Sequence, residues 1–231
     1  DVLFAKAKIY GLTYQHYPSQ PCFEKLEMKV YANTIAHSMD DTKRPNVPMH
    51  MDMRGWTKTF GGYADGRMKF GKHKITARLD GYHTNARAEM TMYPNDPNEN
   101  VMFMLTWPDV RTLYSGVYGE DKIILNENRN IKVSARAGFQ NASIANDFGL
   151  NSLRIFYPEL KDNKSRFLMN FSSEYNLKFK KFDVSIGAGY GQRAPSVTEA
   201  YGFYLYNSFD NYDYVGNPYL KNEKSIKLNF G

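Results

Sequence analysis

The stretch Trp56 to Tyr82, WTKTFGGYADGRMKFGKHKITARLDGY, decides the fold. From Trp56 to Phe70 two kinds of side chain alternate. Phe60, Gly62, Ala64, Met68 and Phe70 share one face, and Thr57, Thr59, Tyr63, Asp65, Arg67 and Lys69 share the other. Gly71 and Lys72 reverse the chain, after which Ile75, Ala77, Leu79 and Gly81 alternate with Thr76, Arg78, Asp80 and Tyr82. Successive side chains of a strand point to opposite faces, so the stretch reads as a β-hairpin with one apolar and one polar side.

The pattern recurs outward in both directions. Leu26, Met28, Val30 and Ala32 alternate with Lys25, Glu27, Lys29, Tyr31 and Asn33 on the way to Met39. Ile131, Val133, Ala135, Ala137 and Phe139 alternate with Lys132, Ser134, Arg136 and Gln140. Phe167 to Phe179 repeats it, Lys180 and Lys181 turn the chain into Val184, Ile186, Ala188 and Tyr190, and Ile226, Leu228 and Phe230 open a further strand. With Leu3 to Tyr17 and the less regular Arg111 to Leu125, about nine strands are expected. Short connections (Pro18 to Cys22, Gly71-Lys72, Asn126 to Asn130, Lys180-Lys181) alternate with long ones (Asp40 to Gly55, Tyr93 to Val110, Leu150 to Lys164, Gln192 to Lys224). Strands of ~15 residues joined by loops of ~15 to 30 exceed the dimensions of soluble sandwiches and barrels. The asymmetry is that of an outer-membrane barrel, with short turns on the periplasmic side and long loops outside.

Composition agrees. Aromatic residues make up 15% of the 231 residues, with 18 Tyr and 15 Phe, yet mean hydropathy is −0.59. Aromatic girdles around a wet polar lumen reconcile the two. No apolar run approaches the ~20 residues of a transmembrane helix. The net charge of +6 alternates with apolar residues instead of forming a stripe, so nucleic acid is not an expected partner. Cys22 is the one cysteine, which rules out an internal disulfide. An odd strand count does not close the usual single-chain barrel, and Asp1 falls within a strand-like segment, so a portion of a larger barrel is expected over residues 1–231.

The last third resembles the TonB-dependent receptors. Arg193-Ala194-Pro195-Ser196-Val197-Thr198-Glu199-Ala200-Tyr201 matches the Arg-x-Pro-Ser-x-x-Glu-x-Tyr run of that family. Gly216-Asn217-Pro218-Tyr219-Leu220-Lys221-Asn222-Glu223-Lys224-Ser225 matches its Gly-Asn-Pro-x-Leu-x-x-Glu-x-Ser run. The resemblance implies a 22-stranded antiparallel transmembrane barrel in the bacterial outer membrane. It also implies a plug domain inside the barrel and energy supplied by the TonB complex through an N-terminal part that this sequence does not contain. Implied partners are outer-membrane lipid and lipopolysaccharide, a small-molecule or metal cargo, and a surface lipoprotein.

Methionine points to the cargo. His37 and Met39, Met49, Met51 and Met53, and Met90 and Met92 fall near the expected extracellular strand ends. Thioether and imidazole ligands suit Cu(I). Strand parity puts His37, Met39, Met49, Met51, Met53, Met90 and Met92 on the polar face, and His50 and His83 on the other. The region from Ile35 to Gly62 is similar to the TonB-dependent copper receptors, whose His-x-Met pair on the barrel and Cys-x-x-x-Met pair on the plug hold copper. The first pair corresponds to His37 and Met39; Cys22 has no Met four residues on. Copper is thus expected as cargo, with no resident cofactor. Against this stands methionine as a flexible filler of aromatic-rich loops. A siderophore or haem receptor is the alternative, with Tyr204, Tyr206, Tyr212 and Tyr214 available to stack on a ligand. A structural or adhesive barrel without transport is the reading of another class, and a plug encoded upstream would eliminate it. His16, His37, His50, His73 and His83 lack a His-Glu-x-x-His spacing, and no serine lies in a nucleophile elbow, so catalysis is not expected.

Overall fold

The computed structural model describes residues 1–41, 43–47, 49–207 and 209–231. The chain runs β1 (Val2–His16), β2 (Phe23–Asp40), β3 (Met49–Phe70), β4 (His73–Pro94), β5 (Met102–Asn126), β6 (Arg129–Ile144), α1 (Asp147–Arg154), β7 (Asn163–Lys178), β8 (Asp183–Arg193), α2 (Val197–Tyr201), β9 (Leu205–Asn207), β10 (Tyr212–Tyr214) and β11 (Glu223–Phe230). Nine strands form one antiparallel sheet in the order β1-β2-β3-β4-β5-β6-β7-β8-β11, each beside its neighbour in sequence. β9 and β10 make a separate small hairpin inside the last connection. The sheet is an open stretch of barrel wall with β1 and β11 at its edges. Among the described residues no helix is long and apolar enough to cross a membrane.

Turns at 17–22, 71–72, 127–128 and 179–182 emerge at one end, and connections at 41–48, 95–101, 145–162 and 194–222 at the other. The tight reversal at Gly71 uses φ +57, a conformation that glycine adopts without steric cost. Two strands run much further than alternation alone indicated. β3 starts at Met49, so Met49 to Met53 are strand residues where a loop was expected, and β5 spans 25 residues. Both are about twice the ~9–11 residues that a bilayer-crossing strand needs, and they carry hairpins of the long-loop end.

Register assigns every side chain to a face, because residues opposite one another in a ladder point the same way. Ala64 faces Met28 and Leu79, and Leu79 faces Val117. Val133 and Phe171 belong to the same apolar outer face, on which Phe60, Leu79 and Phe171 are all exposed. The inner face is an ionic lattice. Arg78 donates to Asp65 Oδ2 from Nε at 3.1 Å and from Nη2 at 2.9 Å. Arg136 Nη2 donates to both oxygens of Asp80, at 2.7 and 2.6 Å, crossing β5 where that strand presents Gly116. Tyr63 Oη donates to Glu27 Oε1 at 2.7 Å. Glycines of this face lie beneath tyrosine side chains. A Cβ at Gly61 would meet the Tyr31 hydroxyl at 2.6 Å, and one at Gly116 or Gly138 would meet that of Tyr114 at 2.4 or 2.5 Å. The expected inward set of Asp65, Arg67, Arg78, Asp80, Arg136 and Glu174 lies on this face.

At the long-loop end the connections fold inward and build a small core of their own. Val110, Ala142 and Ile144 on the inner face of β5 and β6 pack with Leu150 and Leu153 of α1, Leu160, Ala200 and Tyr201 of α2, and Phe203. Val110 and Leu153 are fully buried. A bulge seats this cap: Asp109 adopts φ +55, its carbonyl accepts from Ala145 N at 3.0 Å, and its carboxylate accepts from Asn85 Nδ2 at 2.8 Å.

The two motifs of the last third lock the cap. Ser196 caps α2 through its side chain, accepting from Glu199 N at 3.2 Å, while Glu199 Oε2 accepts from Ser196 N at 2.7 Å, a reciprocal capping box. Arg193 donates to both oxygens of Glu199, at 2.8 and 3.0 Å, and from Nε to Glu223 at 3.0 Å, so one guanidinium ties α2 to the start of β11. Gly216 lies against the end of α2, where a Cβ would stand 2.7 Å from Gly202 N. Asn217 N donates to Glu199 O at 2.9 Å, and Arg166 Nη2 donates to the carbonyls of Pro218 at 3.3 Å and Leu220 at 3.1 Å. Pro195 follows Arg193 closely into the helix, the Tyr201 ring is buried in the cap, and Ser225 faces Gly191 across the last ladder.

Two outcomes follow from this architecture. Ala135 sits midway along the apolar outer face of β6 and Ser134 beside it on the polar face, so Ala135→Lys is expected to cost ~2–4 kcal/mol in unfolding titrations from bilayers. Ser134→Lys is expected to leave the midpoint near that of the wild type. The Arg193 guanidinium, with the Ser196 amide and hydroxyl, holds the Glu199 carboxyl at about 2 against an ordinary 4.5. A depressed carboxylate contributes above its unfolded pKa and is lost as pH falls through the folded one. Pepsin, normalised on a denatured substrate, should therefore spare residues 194–222 at pH 4.5 and cut them increasingly toward pH 2. Glu199→Gln should be cut to a similar extent throughout.

Candidate metal site on the inner face

β2 and β3 bring the predicted ligands together by register. Met39 faces Met53, His37 faces Gly55, and Met51 and Met49 follow on the same face of β3. The imidazole of His37 lies over Gly55, where a Cβ would stand 2.4 Å from Cε1 and 2.8 Å from Nε2. Position 55 thus carries no side chain because the ring occupies its space. His37 and Met39 are ~6.5–7 Å apart along the strand. Met53 is directly opposite Met39 and two residues from the glycine beneath the ring. One imidazole and two thioethers therefore occupy one patch of the inner face, all of them partly exposed.

The ladder extends the patch across four strands. Met53 faces Met90 and Met90 faces Met104, which makes a row of Met39, Met53, Met90 and Met104. One row further toward the loops, Met51 faces Met92 and Met92 faces Met102. Neighbouring strands are ~4.8 Å apart, so adjacent thioethers are within reach of one another. Met104 and Met102 lie outside the set drawn from sequence, because the bulged start of β5 hid their parity. Met90 is buried and Met104 packs against the cap core, so these two back the row, while Met39 and Met53 lie beside His37. Met49 faces Pro94 and stands furthest from His37. Among the described residues no group of three or more His, Cys, Asp or Glu side chains converges as a metal site; the patch is of soft donors. His50 points to the other face, where its Nδ1 lies 3.2 Å from Asp41 Oδ1. Cys22 is in the turn between β1 and β2, at the opposite end of the sheet.

The tyrosines of the last connection serve its own structure. Tyr204, at φ +49, packs edge-on against Phe203 and Phe156. Tyr206 Oη donates to Asn211 Oδ1 at 2.7 Å, and Tyr214 Oη donates to Asp210, which braces the β9–β10 hairpin. Tyr206, Tyr212 and Tyr214 remain half exposed or more on its strands. Beneath α2 a cleft of about 470 Å³ opens on the inner face, lined by Tyr114, Arg136, Gln140, Arg166, Gln192 and Tyr201. Arg136 is tied to Asp80, Arg166 to the carbonyls of Pro218 and Leu220, and Gln192 Nε2 to Tyr190 Oη. Desolvation pushes the Tyr201 hydroxyl up from its ordinary value.

Comparison with known proteins fits this geometry. A search of curated protein sequences returns no match. Among solved structures the chain is similar to the copper transporter OprC, at a TM-score of 0.80 and 18% identity. The match covers 100% of this chain and 37% of that one, so the chain spans little more than a third of that structure's length. At such identity the likeness is one of fold. The family model described as TonB dependent receptor-like, beta-barrel, matches residues 8–231. Nine antiparallel strands with unlike faces, a cap locked by the Arg193 and Gly216 motifs, and a match over nearly the whole chain make this protein a member of the TonB-dependent receptor β-barrel family.

Proposed function

We propose that the chain forms barrel wall of an outer-membrane receptor that imports copper, with energy supplied through TonB by the rest of the receptor. The observation that carries the reading is the inner-face patch of His37, Met39 and Met53, extended by the methionine rows across β2 to β5. Imidazole and thioether donors favour Cu(I) over harder cations. A patch of uncharged donors near the long-loop end binds a soft ion weakly enough to pass it on, and a further pair from elsewhere in the receptor would complete a tight site. Similarity of fold to a copper transporter supports the same cargo. The tyrosines at 204, 206, 212 and 214 are the contacts a siderophore or haem would use instead, and the engagement of Tyr204 with Phe203 and Phe156, of Tyr206 with Asn211 and of Tyr214 with Asp210 makes that the weaker reading.

The test is metal analysis of the intact receptor, purified from cells grown with copper. Wild type is expected to retain copper, and His37→Ala/Met39→Ala to lose it. Gly55→Ala keeps every donor but places a methyl group where the His37 ring lies, and is expected to lower copper content with no loss of folded protein. Met102→Ala, two rows from the imidazole, should retain most of the metal. Equal copper in wild type and the double variant, or none in either, overturns the copper reading and favours the siderophore or haem alternative.

A further inference from the structure

The cleft beneath α2 holds a charge that the chain does not balance. Its floor is one ladder row of the inner face, Tyr82, Tyr114, Gln140 and Arg166 in register across β4 to β7, and Val197 and Tyr201 of α2 line it from above. Among the described residues three arginines line the cleft, and no aspartate or glutamate does. Arg136 is matched by Asp80 at 2.6 Å, and Arg193 by Glu199 at 2.8 Å and by Glu223. Arg166 is only 9% exposed, yet among the described residues it enters no ion pair. Its hydrogen bonds run from Nη2 to the carbonyls of Pro218 and Leu220, at 3.3 and 3.1 Å. Tyr201 is 4% exposed, and its hydroxyl is buried without a hydrogen-bond partner. Desolvation raises the pKa of that hydroxyl and the Arg166 charge works against the rise, so the two groups lie close together. A buried guanidinium with no counter-charge and a buried hydroxyl with no partner each carry a desolvation cost, which one anion meeting both would offset.

We propose that Arg166 and Tyr201 form a binding site for a carboxylate, and that the bound carboxylate fastens the cap to the wall. A guanidinium is a planar fork of donors and a carboxylate presents two oxygens in one plane, so the two pair edge to edge. With Nη2 turned to the loop carbonyls, Nε and Nη1 remain as donors, and the Tyr201 hydroxyl adds another. Charge selects the class of ligand. Arg166 presents one positive charge to be met, which a carboxylate does singly, whereas a phosphate carries about two near pH 7 and would leave an excess in a buried place. The stacked rings of Tyr82 and Tyr114, with centroids 5.1 Å apart, and the side chains of Leu168 and Val197 leave room for a small apolar body behind the carboxylate. Arg166 belongs to β7, Tyr201 to α2, and the carbonyls of Pro218 and Leu220 to the segment before β11. A carboxylate held by the first two therefore ties the roof of the cleft to its floor. It comes either from a small organic acid or from an aspartate or glutamate elsewhere in the full receptor. Neither Arg166 nor Tyr201 belongs to the methionine patch, so the site stands apart from the copper reading.

The test is amide hydrogen exchange of the full receptor in detergent, read by mass spectrometry over residues 194–222, in ~100 mM sodium acetate, chloride or phosphate at about pH 7. For a Kd of ~10 mM, acetate should slow exchange of the cap roughly ten-fold relative to chloride. Phosphate should do no more than chloride. Tyr201→Phe keeps the ring that packs in the cap and removes only the hydroxyl, and it should lose most of the acetate effect; Arg166→Gln should lose all of it. If the carboxylate belongs to the receptor itself, acetate adds little, and Tyr201→Phe in chloride exchanges several-fold faster than wild type. A purely structural hydroxyl predicts the opposite, because deleting a buried hydroxyl that has no partner leaves the cap as protected as before or more so. No acetate effect together with Tyr201→Phe no faster than wild type in chloride therefore overturns the proposal. An acetate effect of equal size in wild type and Tyr201→Phe, or phosphate as effective as acetate, overturns it as well. Copper content of the same preparations reports on the cargo separately, and a copper-free receptor that still responds to acetate would sink only the cargo.

Discussion

A backbone amide in hydrocarbon has no water to bond, so a wall that crosses a membrane must pair each strand along its whole length with the next. That requirement fixes register, and register fixes nearly everything else in this protein. A slip of one residue at any ladder would turn its apolar side chains inward and its charges outward. The pairing of Asp65 with Arg78 ties β3 to β4 and the reach of Arg136 to Asp80 ties β6 to β4 across β5, so the polar face opposes such a slip as well as the apolar one. The methionine rows are likewise products of register. The members of each row are at least ten residues apart in sequence, and the ladder alone brings them side by side.

Much of this was legible in the sequence because period two is a strong signal wherever one face is apolar. The central hairpin at Gly71, the order of strands and the inward set from Asp65 to Glu174 could all be read from alternation. Strand ends could not. From Met49 to Gly55 both parities carry residues that suit a loop, and at Pro108 and Asp109 a bulge breaks the alternation, so β3 and β5 were expected to be shorter than they are. The same bulge concealed Met102 and Met104. The cap was equally hidden: α1 is short and its apolar residues, Leu150 and Leu153, pack on a sheet face that further along the same strands is polar.

The motifs that identified the family have structural work to do. Arg193, Ser196, Glu199, Gly216 and Asn217 hold the last long connection down over the inner face, and the soft donors sit on other strands. These motifs therefore determine how the long-loop end of the wall is built, and they contribute nothing to the patch of soft donors.

Three times on the inner face a ring lies over a glycine: Tyr31 on Gly61, Tyr114 on Gly116 and Gly138, and His37 on Gly55. A side chain laid down in this way stands out from the wall less than an upright one would. The wall thereby keeps aromatic and imidazole groups on its inner face without extending them far from it. At His37 the arrangement has a further effect, since the imidazole rests on bare backbone with no side chain at position 55 to hold it there.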